Sequence, residues 1–436
     1  MFFLTAADTE RLNIRGSRDP LGLVPIWGDF GRKVVENLTG ASNSARGFTT
    51  LLLGLHFAER VSAGLPDRES VRLAAFLKFE QLAGFARFIR NEDANTRGIT
   101  QIKKRLSDGE GRRIRSGAAQ ELQILSNQTT YGIWGLFITP AIDSGLVVPK
   151  DLTLTAASRE LLDRDYLPML RAGSRDEGAT IETILSKAAS EVEPQGRHAG
   201  LFEALGKILS PSFRKAEQQF YHTHLILGGE KARKQGWQPR FAELMEAVLP
   251  KDEYFDHRSL TRLIKAANAP TDGPLRDQLV RIRDLEGLLV ASANLFGFLQ
   301  HRDKAKVLDV VKELRKEWGK GLRHVRRAEI ADMAPDLCRI LGNQAAGERL
   351  VALAATLNSG KWEEAIDLTL AHNQFVMSSR NGSQPWIQRS GEKLDVRYRG
   401  DSHPALLAPA DLAEQWRSTF YLNPLKLVSD QLRGRA

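Results

Sequence analysis

Lysine and arginine crowd three stretches of this 436-residue chain. A guanidinium or ammonium with no carboxylate beside it is suited to holding a phosphate. The first stretch, residues 96–116, carries Arg97, Lys103, Lys104, Arg105, Arg112, Arg113 and Arg115 against only Asp108 and Glu110. Gly109 and Gly111 in its middle predict a loop whose backbone can approach a ligand. The second, residues 302–327, is denser but interleaved with Asp303, Asp309, Glu313 and Glu317, and Glu313 and Lys316 lie one helical turn apart. Only its end escapes acids: Lys320, Arg323, Arg326 and Arg327, with His324 among them. The third lies near the C-terminus, where Arg380, Arg389, Arg397 and Arg399 flank a predicted hairpin. Contacts of this kind grip a nucleic-acid backbone without reading its bases.

Other chemistry leaves little trace. His222 and His224 are the only close histidine pair, and at i, i+2 on a helix they point to different faces, so no metal site is expected. Gly200 to Gly206-Lys207 has one residue too many for a phosphate-binding loop, and Ile208 follows instead of Ser or Thr. His301, Lys304 and Asp309 miss the HxKxxxxD spacing of phospholipase-D-like nucleases by one. Arg397 and His403, the nearest approach to the Arg–His pair of HEPN-type ribonucleases, fall in a predicted strand and loop rather than a helix. There is no HExxH and no GxSxG. One cysteine, Cys338, sits in an apolar run and reads as a small buried hydrophobe in a reducing cytoplasm. No cofactor or metal is expected.

The elements that must carry these residues are helical. Apolar spacing at i, i+3, i+4 predicts helices over 27–38, 43–64 and 67–90, then about 176–191, 196–209, 211–227, 237–249, 257–268, 274–300, 303–320, 324–341, 345–357 and 360–378. Residues 386–389 and 393–399 alternate apolar with charged side chains, the period of a half-buried hairpin. The fold class is mainly α: a multi-helix array with an embedded helical unit and a small C-terminal β-hairpin. The expected organisation is an N-terminal helical unit (1–95), a basic loop (96–116), a compact unit (117–172), a helical array (173–378) and a terminal hairpin with helices (379–436). No apolar run approaches eighteen residues, so no membrane span is expected.

Within 118–170 the order is helix, helix, short hairpin, helix. Asp143-Ser144-Gly145-Leu146-Val147 followed by Leu154-Thr155-Ala156-Ala157-Ser158 resembles the wing of MarR-type and PadR-type winged-helix regulators. The resemblance covers some fifty residues; it implies that the embedded unit, 117–172, is winged-helix-like, with a second helix, 131–144, in the recognition position. That helix carries no Lys or Arg, and the wing tip only Lys150. Base readout usually needs Arg, Lys, Asn or Gln there, so DNA contact would fall to the basic loops.

A net charge of +9 accords with a polyanion partner. Arg, Ala and Leu usage points to a bacterial source. The architecture resembles accessory subunits of prokaryotic genome-defence (antiviral) or DNA-maintenance systems. The expected function is a non-enzymatic, cytoplasmic, nucleic-acid-associated subunit of a complex, its partners double-stranded DNA and other protein subunits. The alternatives are a helical scaffold that binds a protein partner, and a nuclease-like enzyme whose site is dispersed along the chain.

Overall fold

A computed structural model describes residues 19–107, 113–173, 175–380, 384–399, 405–417 and 422–434. It is mainly helical. The chain divides into two compact units, one built from 1–34 and 254–420, the other from 35–253 and 421–436. Among the described residues no helix is long and apolar enough to cross a membrane.

The 35–253 unit is organised on the antiparallel helices Ala45–Ser62 and Arg68–Asn91. Ser44 caps the first, its side chain accepting from the Gly47 N–H. Phe48, Leu51, Leu52, Leu55, Phe76, Phe79 and Phe85 are almost wholly buried, as their spacing requires. The helix Ile133–Asp143 packs on the first of these, its Phe137 ring edge-on to Phe48 at 5.0 Å. Glu177–Ser186 and Ala199–Ile208 complete the bundle.

Two local expectations are corrected here. Residues 96–116 are not one loop. Ile99–Ser107 is a helix, because Ile102 drives one face into the core, and Ile114–Gly117 is a strand; residues 108–112, with Gly109, Gly111 and Arg112, lie outside the described residues. The helix expected over 176–191 stops at Ser186, and Ala189–Val192 pairs antiparallel with Ile114–Gly117. Period-two burial of Ser190 and Val192 decides it. Gln81, on a helix, reads this strand as a neighbouring strand would: its amide donates to the Gly117 carbonyl (2.8 Å) and accepts from the Gly117 N–H (3.2 Å).

Between 118 and 171 the elements depart from the expected order of helix, helix, hairpin, helix. Residues 118–125 hold only a single 3-10 turn, Gln120–Leu122. The expected 131–144 helix is split at Gly132 into Gln128–Tyr131 and Ile133–Asp143, and Pro140 lies inside the second without ending it. The turn after it is joined by one antiparallel bridge, Val147 to Leu154. Thr155 caps Ala156–Leu161 as expected, which runs on through a π-helical turn, Leu162–Tyr166.

The 254–420 unit is built on Gly273–Leu299, whose Leu275, Leu279, Leu285, Leu289 and Leu295 are buried. Its buried Glu286 accepts from the Trp27 indole at 2.7 Å, tying in the helix Leu23–Arg32. Val307–Trp318, Gln344–Ser359 and Trp362–Ser378 pack further out, and Trp318 and Trp362 meet at 5.6 Å between ring centres. The helix expected over 324–341 is two, Arg327–Ala331 and Ala334–Leu341. The hairpin near the C-terminus forms as the alternation foretold, Ile387–Ser390 against Lys393–Val396. Its outer strand is covered: the Lys304 N–H donates to Leu394, the Leu394 N–H to Ala305 and the Val307 N–H to Glu392. That blunts an edge that would otherwise recruit another chain.

Candidate functional site

The cations singled out by sequence divide into those spent on structure and those left outward. In the 35–253 unit, Arg105 donates to the carbonyls of Leu122 (2.9 Å), Gln123 (2.8 Å) and Glu121 (3.3 Å), so it caps the short turn Gln120–Leu122. Arg97 donates to the Ala41 carbonyl at 2.6 Å. Arg113 approaches Glu193 at 3.5 Å, and Arg115 stands opposite Glu191 in the strand pair. Lys103 lies over the Phe88 ring at 5.6 Å. Lys104 is exposed on the same helix, and Lys150 is exposed on its turn. That turn is clamped from below, where buried Arg72 donates to the carbonyls of Asp151 (2.6 Å) and Leu152 (2.5 Å). Leu152 is left at φ 54°, a conformation rare for a branched side chain.

The hairpin cations of the 254–420 unit are also committed. Arg389 pairs with Asp367 and Glu363, each at 2.9 Å. Arg397 donates to Gln384 at 2.9 Å and lies 4.0 Å from Asp395. Arg380 donates to the Asp19 carbonyl at 2.6 Å. Arg399 is exposed at the edge of the described residues. Arg326 turns back toward buried Asp284 (3.6 Å) and toward Glu329 (4.0 Å).

The loop 319–327 is different. Leu322 and Val325 are fully buried and act as stakes. The Leu322 N–H donates to the Leu357 carbonyl (2.9 Å), the Asn358 amide to the Val325 carbonyl (3.0 Å), and the Trp362 indole to the Gly319 carbonyl (3.1 Å). Gly321 has φ +132°, and a Cβ there would stand 2.1 Å from the Asn358 carbonyl oxygen, so only glycine lets the loop lie this close. Around the stakes, Lys320, Arg323 and Arg327 are exposed, and their side chains make no ion pair among the described residues. A backbone held by three hydrogen bonds and two buried side chains presents three uncommitted cations. His324, which sequence grouped with them, is half-buried, and burial lowers its pKa, so it adds no charge at neutral pH.

The 35–253 unit also holds what the sequence did not reveal. His56, Phe57 and Arg60 from Ala45–Ser62, Leu167, Leu170 and Arg171 from the segment after the π-helical turn, and Asp176 and Glu182 from the next helix line a pocket of about 70 Å³. Burial lowers the His56 pKa, and Arg60 lowers it further against the pull of Asp163 and Glu182. The ring is therefore neutral at physiological pH. These residues come from two stretches, 56–60 and 167–182, more than a hundred positions apart, which no local motif could announce. The only sequence signal was the charged Glu59-Arg60 pair beside an otherwise apolar helix face.

Two buried polar clusters serve the fold. Arg46 donates to Glu217 (2.8 Å) and to the carbonyls of Ser210 (2.6 Å) and Ser212 (2.7 Å), with Tyr166 donating to Glu217 at 2.7 Å. Every oxygen of that carboxylate is used, since the Arg214 N–H donates to the second at 2.8 Å. Glu80 is buried beneath Gly132, where its carboxylate accepts from the Ile133 N–H (2.7 Å) and the Gln128 amide (2.9 Å). A Cβ on Gly132 would fall 2.7 Å from both carboxylate oxygens. Burial pushes the Glu80 carboxyl up to about 7, against the Ile133 and Gln128 hydrogen bonds and the Arg97 charge.

His222 and His224 go separate ways, His224 to the Ser144 carbonyl at 3.0 Å and His222 toward Glu246 at 3.7 Å. Cys338 is half-buried rather than enclosed, its thiol donating to the Gln344 carbonyl at 3.5 Å. Among the described residues no group of three His, Cys, Asp or Glu side chains is placed to hold a metal ion. No protein-family model, curated protein or solved structure matches the chain.

Proposed function

We propose that this protein binds the phosphate backbone of nucleic acid through the loop 319–327, with little readout of bases. The observation that carries the reading is the pairing of a rigid loop with Lys320, Arg323 and Arg327, all exposed and none ion-paired among the described residues. A preorganised set of cations loses little entropy on meeting phosphates and releases counterions when it does. The winged-helix-like segment supports the reading only as scaffold. Its helix Ile133–Asp143 buries Ile133, Phe137, Pro140 and Ala141 and brings no cation to a groove. Double-stranded DNA is the first ligand to test, and a place in a genome-defence or DNA-maintenance complex is consistent with binding of this kind.

The test is retention on a duplex of mixed sequence as salt is raised. Affinity should fall linearly with the logarithm of salt concentration. Changing Lys320, Arg323 and Arg327 together to Ala should reduce the magnitude of that slope by about three and weaken binding roughly uniformly across sequences, with thermal stability unchanged. A wild-type protein that shows no affinity at low salt, or a triple variant with the wild-type slope, refutes the proposal.

A further inference from the structure

The pocket around His56 has its own chemistry, independent of the loop 319–327. Its acids are already engaged. Glu182 is ion-paired with Arg60, and Asp176 caps the helix Glu177–Ser186 by accepting from the N–H groups of Gly178 (2.9 Å) and Ala179 (3.2 Å). The side chains without a hydrogen bond or ion pair among the described residues are the Arg171 guanidinium and the His56 imidazole. The imidazole is packed edge-on to Phe57 at 5.0 Å. A guanidinium offers five donors in a planar fork that matches a carboxylate or phosphate, and a neutral imidazole offers one more. Phe57, Leu167 and Leu170 supply apolar wall. The volume, about 70 Å³, admits an end group of a few heavy atoms rather than a base and sugar.

We propose that this pocket is a binding site for a small oxyanion, a phosphate or carboxylate end group, gripped by Arg171 and hydrogen-bonded by His56. A free anion and the terminal group of a larger molecule would share these contacts. Binding has a linked consequence. A negative charge beside the imidazole favours its protonated form, so occupancy raises the His56 pKa and draws a proton onto the ring.

The experiment follows the His56 ring by NMR in the 436-residue chain across pH, without and with inorganic phosphate, ionic strength held constant with chloride. His56→Gln assigns the resonance. The expected result is a saturable shift of the His56 signal in phosphate and an upward displacement of its titration midpoint. Arg171→Ala should weaken the apparent affinity about tenfold or more, the loss expected for one charge-assisted contact. Because Arg171 is exposed, its removal should leave the melting temperature in place, and Arg171→Lys should restore part of the affinity. Acetate in place of phosphate separates carboxylate from phosphate recognition. An oligonucleotide with and without a 5′ phosphate separates a free anion from a nucleic-acid end. A His56 signal that ignores all of these ligands, or a phosphate response unchanged in Arg171→Ala, overturns the site.

Discussion

Two basic regions of similar density in the sequence meet opposite fates. In 96–115, Arg97 and Arg105 turn inward to satisfy backbone carbonyls, and Arg113 leans on Glu193. In 319–327 it is the apolar Leu322 and Val325 that turn inward, which leaves Lys320, Arg323 and Arg327 for solvent. The difference lies in what else is available to hold each segment down. A segment with buried leucine and valine stakes need not spend its cations. One held chiefly by Ile102 and a four-residue strand recruits guanidinium groups, whose five donors suit orphan carbonyls. Charge density along a chain therefore overstates charge available to a ligand.

The sharpest way to break this comparison is to remove a cation wholly committed to structure. Arg46→Ala should cost about 3–5 kcal/mol, because it strands the buried Glu217 carboxylate. Urea unfolding measures it, and a loss below about 1 kcal/mol would show that a buried guanidinium here is no more committed than an exposed one. Next comes the acid that sits among these cations. The Glu80 carboxyl titrates near 7 when folded and near 4.5 in the unfolded chain. The folded state thus holds a proton that the unfolded state has released between those values. The resulting stability is complete below about 4.5 and is lost as pH rises through about 7, a total of a few kcal/mol. Subtracting the pH–stability curve of Glu80→Gln from that of the wild type isolates this decline, and a flat difference would place the charged form in the core throughout.

Arg105→Ala should destabilise by about 1–2 kcal/mol, since it leaves the carbonyls of Leu122 and Gln123 without their donor. It should leave duplex affinity alone. A variant with lowered affinity and full stability would move Arg105 to the ligand side of the comparison. Smallest of all, Lys103→Ala with Lys104→Ala should change stability by no more than about 0.5 kcal/mol. Its effect on the salt dependence of DNA retention shows whether the first region contributes any phosphate contact.

Periodicity carried most of the helices, because apolar side chains at i, i+3 and i+4 have few other destinations: Phe76, Phe79 and Phe85 were legible as core, and so was the alternation of the C-terminal hairpin. The strand pair Ile114–Gly117 with Ala189–Val192 was not, for its partners lie far apart in sequence and each is four residues long. Of the cations expected to hold phosphate, Lys320, Arg323 and Arg327 were marked by a run, 320–327, that contains no acid, which is a local property. The partners of Arg389, Asp367 and Glu363, sit more than twenty positions away, and those of Arg105 are carbonyls that every residue has. The pocket at His56 left only the Glu59-Arg60 pair as a mark, because its other walls come from more than a hundred positions away.

One feature of the chain's routing constrains its biogenesis. The Leu23–Arg32 helix belongs with elements that begin only after residue 254, and the 35–253 unit takes in Leu422–Leu432, whose Gln431 exchanges hydrogen bonds with Asn43 and Ala45. On a ribosome adding roughly 5–20 residues per second, the Leu23–Arg32 helix waits tens of seconds for its partners. Its Leu23, Ile26 and Phe30 are left bare meanwhile. Nascent chains stalled before residue 420 should therefore lean on chaperones, and truncation near the C-terminus should harm solubility far more than the few residues removed would suggest.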